Sequence, residues 1–287
     1  MSGYVESILI FMGINIIMAL SLYLPFSAGQ ISLAQAGFMA IGAYSSSVLT
    51  RDCGVSFYPS LLIGGLLAGA TGVLVGFPAI RIKGIYLLLL TLAFGEMVRV
   101  FFLNFTPTGA ASGMGGMELR TTLLNVYAVV GLLVLFFSRL RGSRMGRALE
   151  SMQEDEVAAE ATGINIIRAK LTAFGLGAFM AGLGGALYAH YALYLDSSTF
   201  GFLLAIEIFV FVVFGGTEVF WGAVVGAALL TIIPEAVRFL KDFRMMFFGT
   251  IIVILMIVRP QGLIDRKLID TIAGYVKQKL LTGGGAG

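Results

Sequence analysis

Long apolar runs divide this chain, and polar residues collect in short segments between them. A membrane-spanning helix needs about 20 mostly apolar residues, within a range of about 17 to 25. Nine runs approach that length, at 7–26, 31–50, 59–76, 84–103, 121–138, 171–193, 199–214, 220–240 and 243–258. The pattern predicts an all-α polytopic membrane protein with about nine transmembrane or re-entrant helices. The re-entrant candidates are the glycine-rich second run and the short seventh and ninth, since protein must cover their free backbone groups.

The positions of Lys and Arg predict an orientation. Short cytoplasmic loops accumulate these residues. If the segment 139–170 faces the cytoplasm, most of the basic residues fall on that side, and few fall on the other. We therefore expect the N-terminus outside and the C-terminus inside. The same asymmetry explains the net charge of +3 without nucleic-acid binding.

The composition is that of a protein surrounded by lipid. Hydrophobic residues make up 58% of the 287 residues and charged residues only 12%, whereas soluble domains carry about 25% charged residues. Glycine contributes 38 residues, about twice its usual share of roughly 7%, and small residues let membrane helices pack closely. One cysteine and one histidine leave no cluster for a metal centre.

The chain is predicted to be one transmembrane domain over 1–287. A charged cytoplasmic loop at about 139–170 interrupts it, and a flexible tail at about 270–287 ends in the low-complexity sequence TGGGAG. The N-terminal MSGYVES lacks the basic segment of a secretory signal, so the first run is expected to be a retained helix. No G-x-x-x-x-G-K-[ST] phosphate loop occurs, so any ATP hydrolysis is expected on another chain.

The charged loop contains an amphipathic pattern. Apolar residues recur there at helix-like spacing, at Ala148, Met152, Val157, Ala161 and Ile164. This predicts one helix of about four turns over 147–162, ended by Gly163, because glycine suits the left-handed residue after a helix. The helix is either a solvated connection between two spans or a docking helix for a soluble partner. The length of the loop favours docking.

Five stretches carry a family resemblance. In chain order they are GQISLAQAGFMAIGAY (29–44), IRIKGIYLLLLTLAFGEMVRV (80–100), DEVAAEATGINIIRAKLTAFGLGAFMAGLGGALYAHY (155–191), GGTEVFWGAVVGAALLTIIPEAVR (215–238) and RPQGL (259–263). They resemble the permease subunits of ATP-binding cassette (ABC) importers for branched-chain amino acids, and the resemblance extends in order over about residues 7–265. The resemblance is closest to the LivM-type subunit.

The resemblance implies partners and a coupling site. Glu160, Ala161 and Gly163 match the Glu-Ala-x-Gly pattern by which such permeases hold their ATPases, and Arg147, Glu154 and Glu156 are expected beside it. The expected partners are a LivH-type second permease, two ATPase subunits that use ATP and Mg, and an extracytoplasmic substrate-binding protein. The chain itself would bind no cofactor and would not be an enzyme. Its expected place is the bacterial cytoplasmic (inner) membrane.

Two departures from the family pattern leave the substrate open. Ala110 stands where a second glycine of a Thr-Gly-Gly turn is expected, and Thr217 and Glu218 occupy a Gly-Gly-x-Gly turn. Related permeases carry urea, short amides or small organic acids, so these remain alternatives to a branched-chain amino acid.

Polar residues within the spans are candidates for the translocation pathway, because ionisable side chains in lipid are costly. Glu96 lies three residues from Arg99, close enough to pair, and is either a structural partner or a pathway residue. Glu207 lies in the seventh run, with a pathway or an interface role. Gln30 and Gln35 suit hydrogen bonds between helices, although the resemblance places them, with Tyr44, near the pathway.

Two other functions remain open. An ion-gradient-driven secondary transporter of small organic solutes would use Glu96 and Glu207 as ion sites, but it leaves the charged loop unexplained. A non-transporting scaffold explains the docking helix but needs no carboxylates in the membrane. A membrane enzyme is disfavoured, because no cluster of His, Cys or paired carboxylates lies on one side.

Overall fold

The computed structural model describes residues 3–236, together with positions 249 and 263. This part of the chain forms ten α-helices, α1 Gly3–Ser27, α2 Gln35–Arg51, α3 Phe57–Ala79, α4 Ile85–Asn104, α5 Leu123–Arg141, α6 Arg144–Glu154, α7 Glu156–Ala161, α8 Ile166–Ala192, α9 Phe202–Gly215 and α10 Phe220–Ala236. Two short strands, β1 Met114–Gly115 and β2 Tyr194–Leu195, pair antiparallel. The predicted all-α class is confirmed.

Five of these helices, α1, α3, α4, α5 and α8, are long and apolar enough to cross a membrane. A sixth crossing exists if α9 and α10 form one broken span; they are bent by 119° at the break between them. The first eight predicted runs each overlap one helix, although α2 has only 17 residues. The ninth run apart from position 249, the tail and RPQGL apart from Leu263 lie outside the described residues. Nine spanning or re-entrant helices therefore stay a prediction.

Helix α8 lies at the centre of the bundle and packs against α1, α2 and α3. Its glycines make this packing close. A Cβ on Gly182 would collide with Ala68 of α3, and a Cβ on Gly185 would overlap the Met39 carbonyl of α2. Small residues that allow such approach supply much of the packing between membrane helices. The glycine-rich sequence of α8 thus serves contacts within this chain.

Several helix ends lie beside the charged segment. On one side, Tyr23 near the end of α1, Arg141 at the end of α5, Glu150 of α6 and Glu218 between α9 and α10 line one small groove. The N-terminus of α1 lies at the far end of that 25-residue helix. The start of α1 and the charged segment therefore lie on opposite sides of the bundle, and which of these sides is cytoplasmic stays a prediction.

Candidate functional site

The charged segment folds as two helices, so the prediction of one continuous helix was wrong. Asp155 breaks it by adopting an extended backbone conformation, with φ −153° and ψ 111°. Its carboxylate accepts hydrogen bonds from the backbone N–H groups of Val157 and Ala158, at 2.8 and 3.1 Å. Aspartate is among the preferred residues for capping a helix N-terminus in this way. The cap begins α7 as a helix separate from α6.

The break also changes which residues face the bundle. Leu149, Met152 and Ala159 are buried, whereas Val157 is 76% exposed and Ala161 is also exposed. The predicted stripe was therefore wrong at positions 157 and 161, because it assumed one helical period across the break.

The outward surface of the segment combines acidic and apolar residues. It comprises the exposed Glu154, Val157, Glu160, Ala161 and Gly163, here called the docking face. Helix α7 ends at Ala161, and Gly163 follows with φ +86°, a left-handed conformation that favours glycine. The predicted stop at Gly163 is confirmed. A Cβ at that position would meet nothing within 4 Å, so backbone conformation, not space, requires the glycine.

Arg147 and Glu156 lie apart from the docking face. The Arg147 guanidinium is exposed and donates to the Gly142 carbonyl at 2.9 Å. The half-buried Glu156 carboxylate turns towards the bundle instead. Its Oε1 accepts from Lys170 Nζ at 2.8 Å, and its Oε2 lies 3.3 Å from Lys83 Nζ. The hydrogen bond from Lys170 lowers the pKa of Glu156 below its usual value, and Lys83 adds to the effect.

Glu96 pairs with Arg99 as predicted, with 2.6 Å between Oε2 and Nε. Its other carboxylate oxygen accepts from the backbone N–H of Phe202 at 3.0 Å. Phe202 is the first residue of α9, whereas Glu96 lies well inside α4. Helix α9 therefore begins partway along α4. About a third of each charged side chain remains accessible, 35% for Glu96 and 29% for Arg99.

The neutral pathway candidates lie inside the chain's own packing. Gln30, Gln35 and Tyr44 are each 1% exposed. The Gln35 amide donates to the Ser21 carbonyl at 3.3 Å, which links α2 to α1, and the Tyr44 ring stacks on Phe102 with centroids 4.1 Å apart. The Gln30 amide and the Tyr44 hydroxyl have no hydrogen-bond partner among the described residues.

Glu207 takes a different position. It is exposed on α9, and so is Leu203 one turn earlier, at 78%. The structure thus does not bring the five pathway candidates together. Glu96 and Glu207 have accessible side chains, whereas the three neutral residues are core residues of the bundle.

Sequence reasoning missed the two partners of Glu156. Lys170 lies at the start of a long apolar helix, and only 6% of its side chain is exposed. That placement is the available signal, because a charge at the edge of a predicted span needs a partner. Lys83, 74% exposed, gave no comparable signal.

These features define a class of protein. The described residues form a polytopic α-helical membrane bundle with a charged two-helix segment on one side. They contain no group of three or more His, Cys, Asp or Glu side chains that could hold a metal ion. A bundle of this kind is typical of a membrane transport subunit.

Comparisons with known proteins identify the family. The family described as "Branched-chain amino acid transport system / permease component" matches residues 4–258. This chain belongs to that family, and it is therefore a transport permease component, not an enzyme. No solved structure matches the chain significantly.

Curated relatives agree with the family. The high-affinity branched-chain amino acid transport system permease protein LivM of Escherichia coli (strain K12) is 33% identical over 90% of this chain and 67% of its own length. A probable LivM permease of Methanocaldococcus jannaschii is 24% identical over 74% of this chain and 70% of its own length. The LivH permease of Escherichia coli (strain K12) is 27% identical over 46% of this chain and 44% of its own length.

Proposed function

We propose that this chain is the LivM-type permease subunit of an ATP-driven ABC importer for branched-chain, hydrophobic amino acids. Its spans form half of a pathway that a related LivH-type permease completes. Two ATPase subunits bind ATP and Mg on the cytoplasmic side, and a substrate-binding protein delivers the amino acid from outside. Relatives of both the LivM and the LivH type support the two-permease arrangement.

The docking face is the observation that carries this proposal. Glu160, Ala161 and Gly163 carry the Glu-Ala-x-Gly pattern, and all three are exposed on the side of the charged segment. Val157 adds the most exposed apolar side chain of that face. A short apolar patch with an acidic rim suits a groove on a soluble partner. Closure of the ATPases would then bias the spans between inward-open and outward-open states.

The topology belongs to the same proposal. The whole chain forms one transmembrane domain with about nine spanning or re-entrant helices in the bacterial cytoplasmic membrane. Its N-terminus is outside, its C-terminus is inside, and the coupling loop at 139–170 is cytoplasmic. The opposite placement of the start of α1 and the charged segment supports this orientation.

Within the pathway we assign different roles to the candidates. Glu207 and the Glu96–Arg99 pair have accessible side chains, so they are positioned to meet the substrate or the second permease. Gln30, Gln35 and Tyr44 shape the pathway from within the helix packing.

A purification experiment tests the proposal. The chain is tagged, extracted in mild detergent and compared with Glu160→Lys and Gly163→Pro. The matched control is Glu118→Lys, which reverses an exposed acidic residue in the segment between β1 and α5. We expect the native chain and the control to bring down an ATPase and a second permease. The two docking-face variants should lose the ATPase and keep the second permease.

The same preparation tests the rival function. A secondary transporter would use Glu96 and Glu207 as ion sites, so its uptake would follow a proton or sodium gradient and ignore ATP. Recovery of this chain alone, with gradient-driven uptake in proteoliposomes, would overturn the importer proposal.

A further inference from the structure

A buried lysine connects the charged segment to the centre of the bundle. Lys170 lies near the N-terminus of α8, and only 6% of its side chain is exposed. A cation gains nothing from the helix dipole at that end. A buried charge without a partner is strongly destabilising, because its lost hydration is not replaced. Glu156 supplies the counter-charge at 2.8 Å.

The Glu156–Lys170 pair joins α7 to α8, two successive helices that otherwise make little contact. Glu156 is the first residue of α7, whose buried residue is Ala159. Lys170 belongs to α8, which packs against α1, α2 and α3. Lys83, just before α4, approaches the other oxygen of Glu156 at 3.3 Å. A displacement of α7 must therefore move α8 with it or leave Lys170 buried without its counter-charge, and it also stretches the exposed pair with Lys83.

We infer that the ion-paired group Lys83–Glu156–Lys170 transmits the movement of the ATPase-bound helix α7 to the membrane bundle. Glu156 is in this view a positioning residue: it does not contact the ATPase, and it makes α7 and α8 move together. The inference rests on the proposed function and deepens it. It separates two roles within one short segment, since the docking face holds the ATPase and the inward carboxylate passes on its motion.

The test uses the full transporter, with both permeases, the ATPases and the binding protein, in proteoliposomes. The central variant is the double substitution Glu156→Gln with Lys170→Met. It removes both charges together, so no unpaired charge stays buried, and neutral replacements of similar volume are often tolerated at such sites. The matched control is Glu118→Gln with Arg120→Met, which removes an exposed ion pair.

Three quantities are measured for each complex, namely the ATPase recovered with the tagged chain, ATP hydrolysis, and amino-acid uptake per ATP hydrolysed. We expect the double variant to keep the ATPase but to lose at least about fivefold in uptake per ATP, the lower end of typical coupling effects. The control pair should match the native chain in all three. A merely structural role for the ion pair would not change uptake per ATP in a complex that assembles.

Two results would overturn the inference. Native uptake per ATP in the double variant would show that the pair transmits nothing. Loss of the ATPase from a complex that still contains the second permease would show that Glu156 is part of the docking contact. If the double variant does not assemble, Glu156→Asp keeps the charge but shortens the side chain, and unchanged uptake per ATP in that variant would also refute the link. Failure of the proposed function appears earlier, as a native chain that recovers no ATPase.

Discussion

The close approach of α2 and α8 allows a quantitative prediction at Gly185. Alanine there places a Cβ over the Met39 carbonyl and close to the backbone nitrogen of Ala43, which lies 3.0 Å from the added atom. These are backbone atoms of a packed helix, so the strain cannot be relieved by rotating a side chain. Overpacking of a core typically costs about 1–3 kcal/mol. At about 2 °C per kcal/mol for a chain of this size, Gly185→Ala should lower the melting temperature by roughly 2–6 °C.

The measurement is thermal unfolding of the detergent-solubilised chain, followed by the fraction that remains monodisperse after heating. Gly131→Ala is the matched control. Gly131 is exposed on α5, and an added Cβ would meet nothing within 4 Å. Replacing such a helical glycine with alanine should leave stability unchanged or raise it by up to about 1 kcal/mol. Equal melting temperatures for the two variants would refute the reasoning that packing against α2 requires the glycine at 185.

Three further predictions follow from the site. Glu96→Ala removes the carboxylate that accepts one hydrogen bond from Arg99 within α4 and one from the backbone N–H of Phe202 at the start of α9. Since a hydrogen bond to a charged group contributes about 1.5–3 kcal/mol, the variant should lower the same melting temperature. An unchanged melting temperature would contradict the role of Glu96 in holding the start of α9. Val157→Asp should change the free energy of unfolding by no more than about 0.5 kcal/mol, because the side chain is 76% exposed. It should nevertheless reduce the amount of ATPase recovered with the chain. Full ATPase recovery would show that Val157 is not part of the docking face. Because the pKa of Glu156 is lowered in the folded chain, its ion pair stabilises above the carboxyl's ordinary pKa, and this contribution is lost as the pH falls through the folded pKa. The stability difference between the native and Glu156→Gln chains should therefore be constant near neutral pH and shrink as the pH falls below the carboxyl's ordinary pKa. A difference that persists in acid would refute the ionic link.

The sequence predicts the helices well where a physical requirement acts on every residue. A helix that crosses the lipid bilayer needs a long apolar run, and the first eight predicted runs each overlap a helix. The relation between α9 and α10 is harder to predict. The Gly-Gly-Thr-Glu interruption marks the turn, but the 119° bend depends on close packing of Gly215 against Gly222 and Gly226. Such contacts form between helices, so hydropathy does not contain them.

The charged segment shows where local pattern misleads. A helical stripe can be drawn through 148–164, but Asp155 is a stronger local signal, because its carboxylate satisfies N–H groups at a new helix start. The inward direction of Glu156 was not predictable from its neighbours. Its partners lie 14 residues away at Lys170 and far earlier at Lys83, and only the packed bundle brings them together.

Polar contacts connect α4 to other elements at two points along its axis. Lys83, just before its first turn, is paired to Glu156, and Glu96 further along binds the first N–H of α9. About 16 Å of helix separates the start of α4 from Glu96, at 1.5 Å per residue. If α4 rotated by about 5° about its first residue, Glu96 would move by roughly 1.4 Å, because it lies this far along the helix. A shift of that size directed away from Phe202 would lengthen the 3.0 Å hydrogen bond to about 4.4 Å, beyond hydrogen-bond distance, unless both partners move together. The start of α9 therefore has to move with α4 or lose the hydrogen bond from the Phe202 backbone N–H to Glu96.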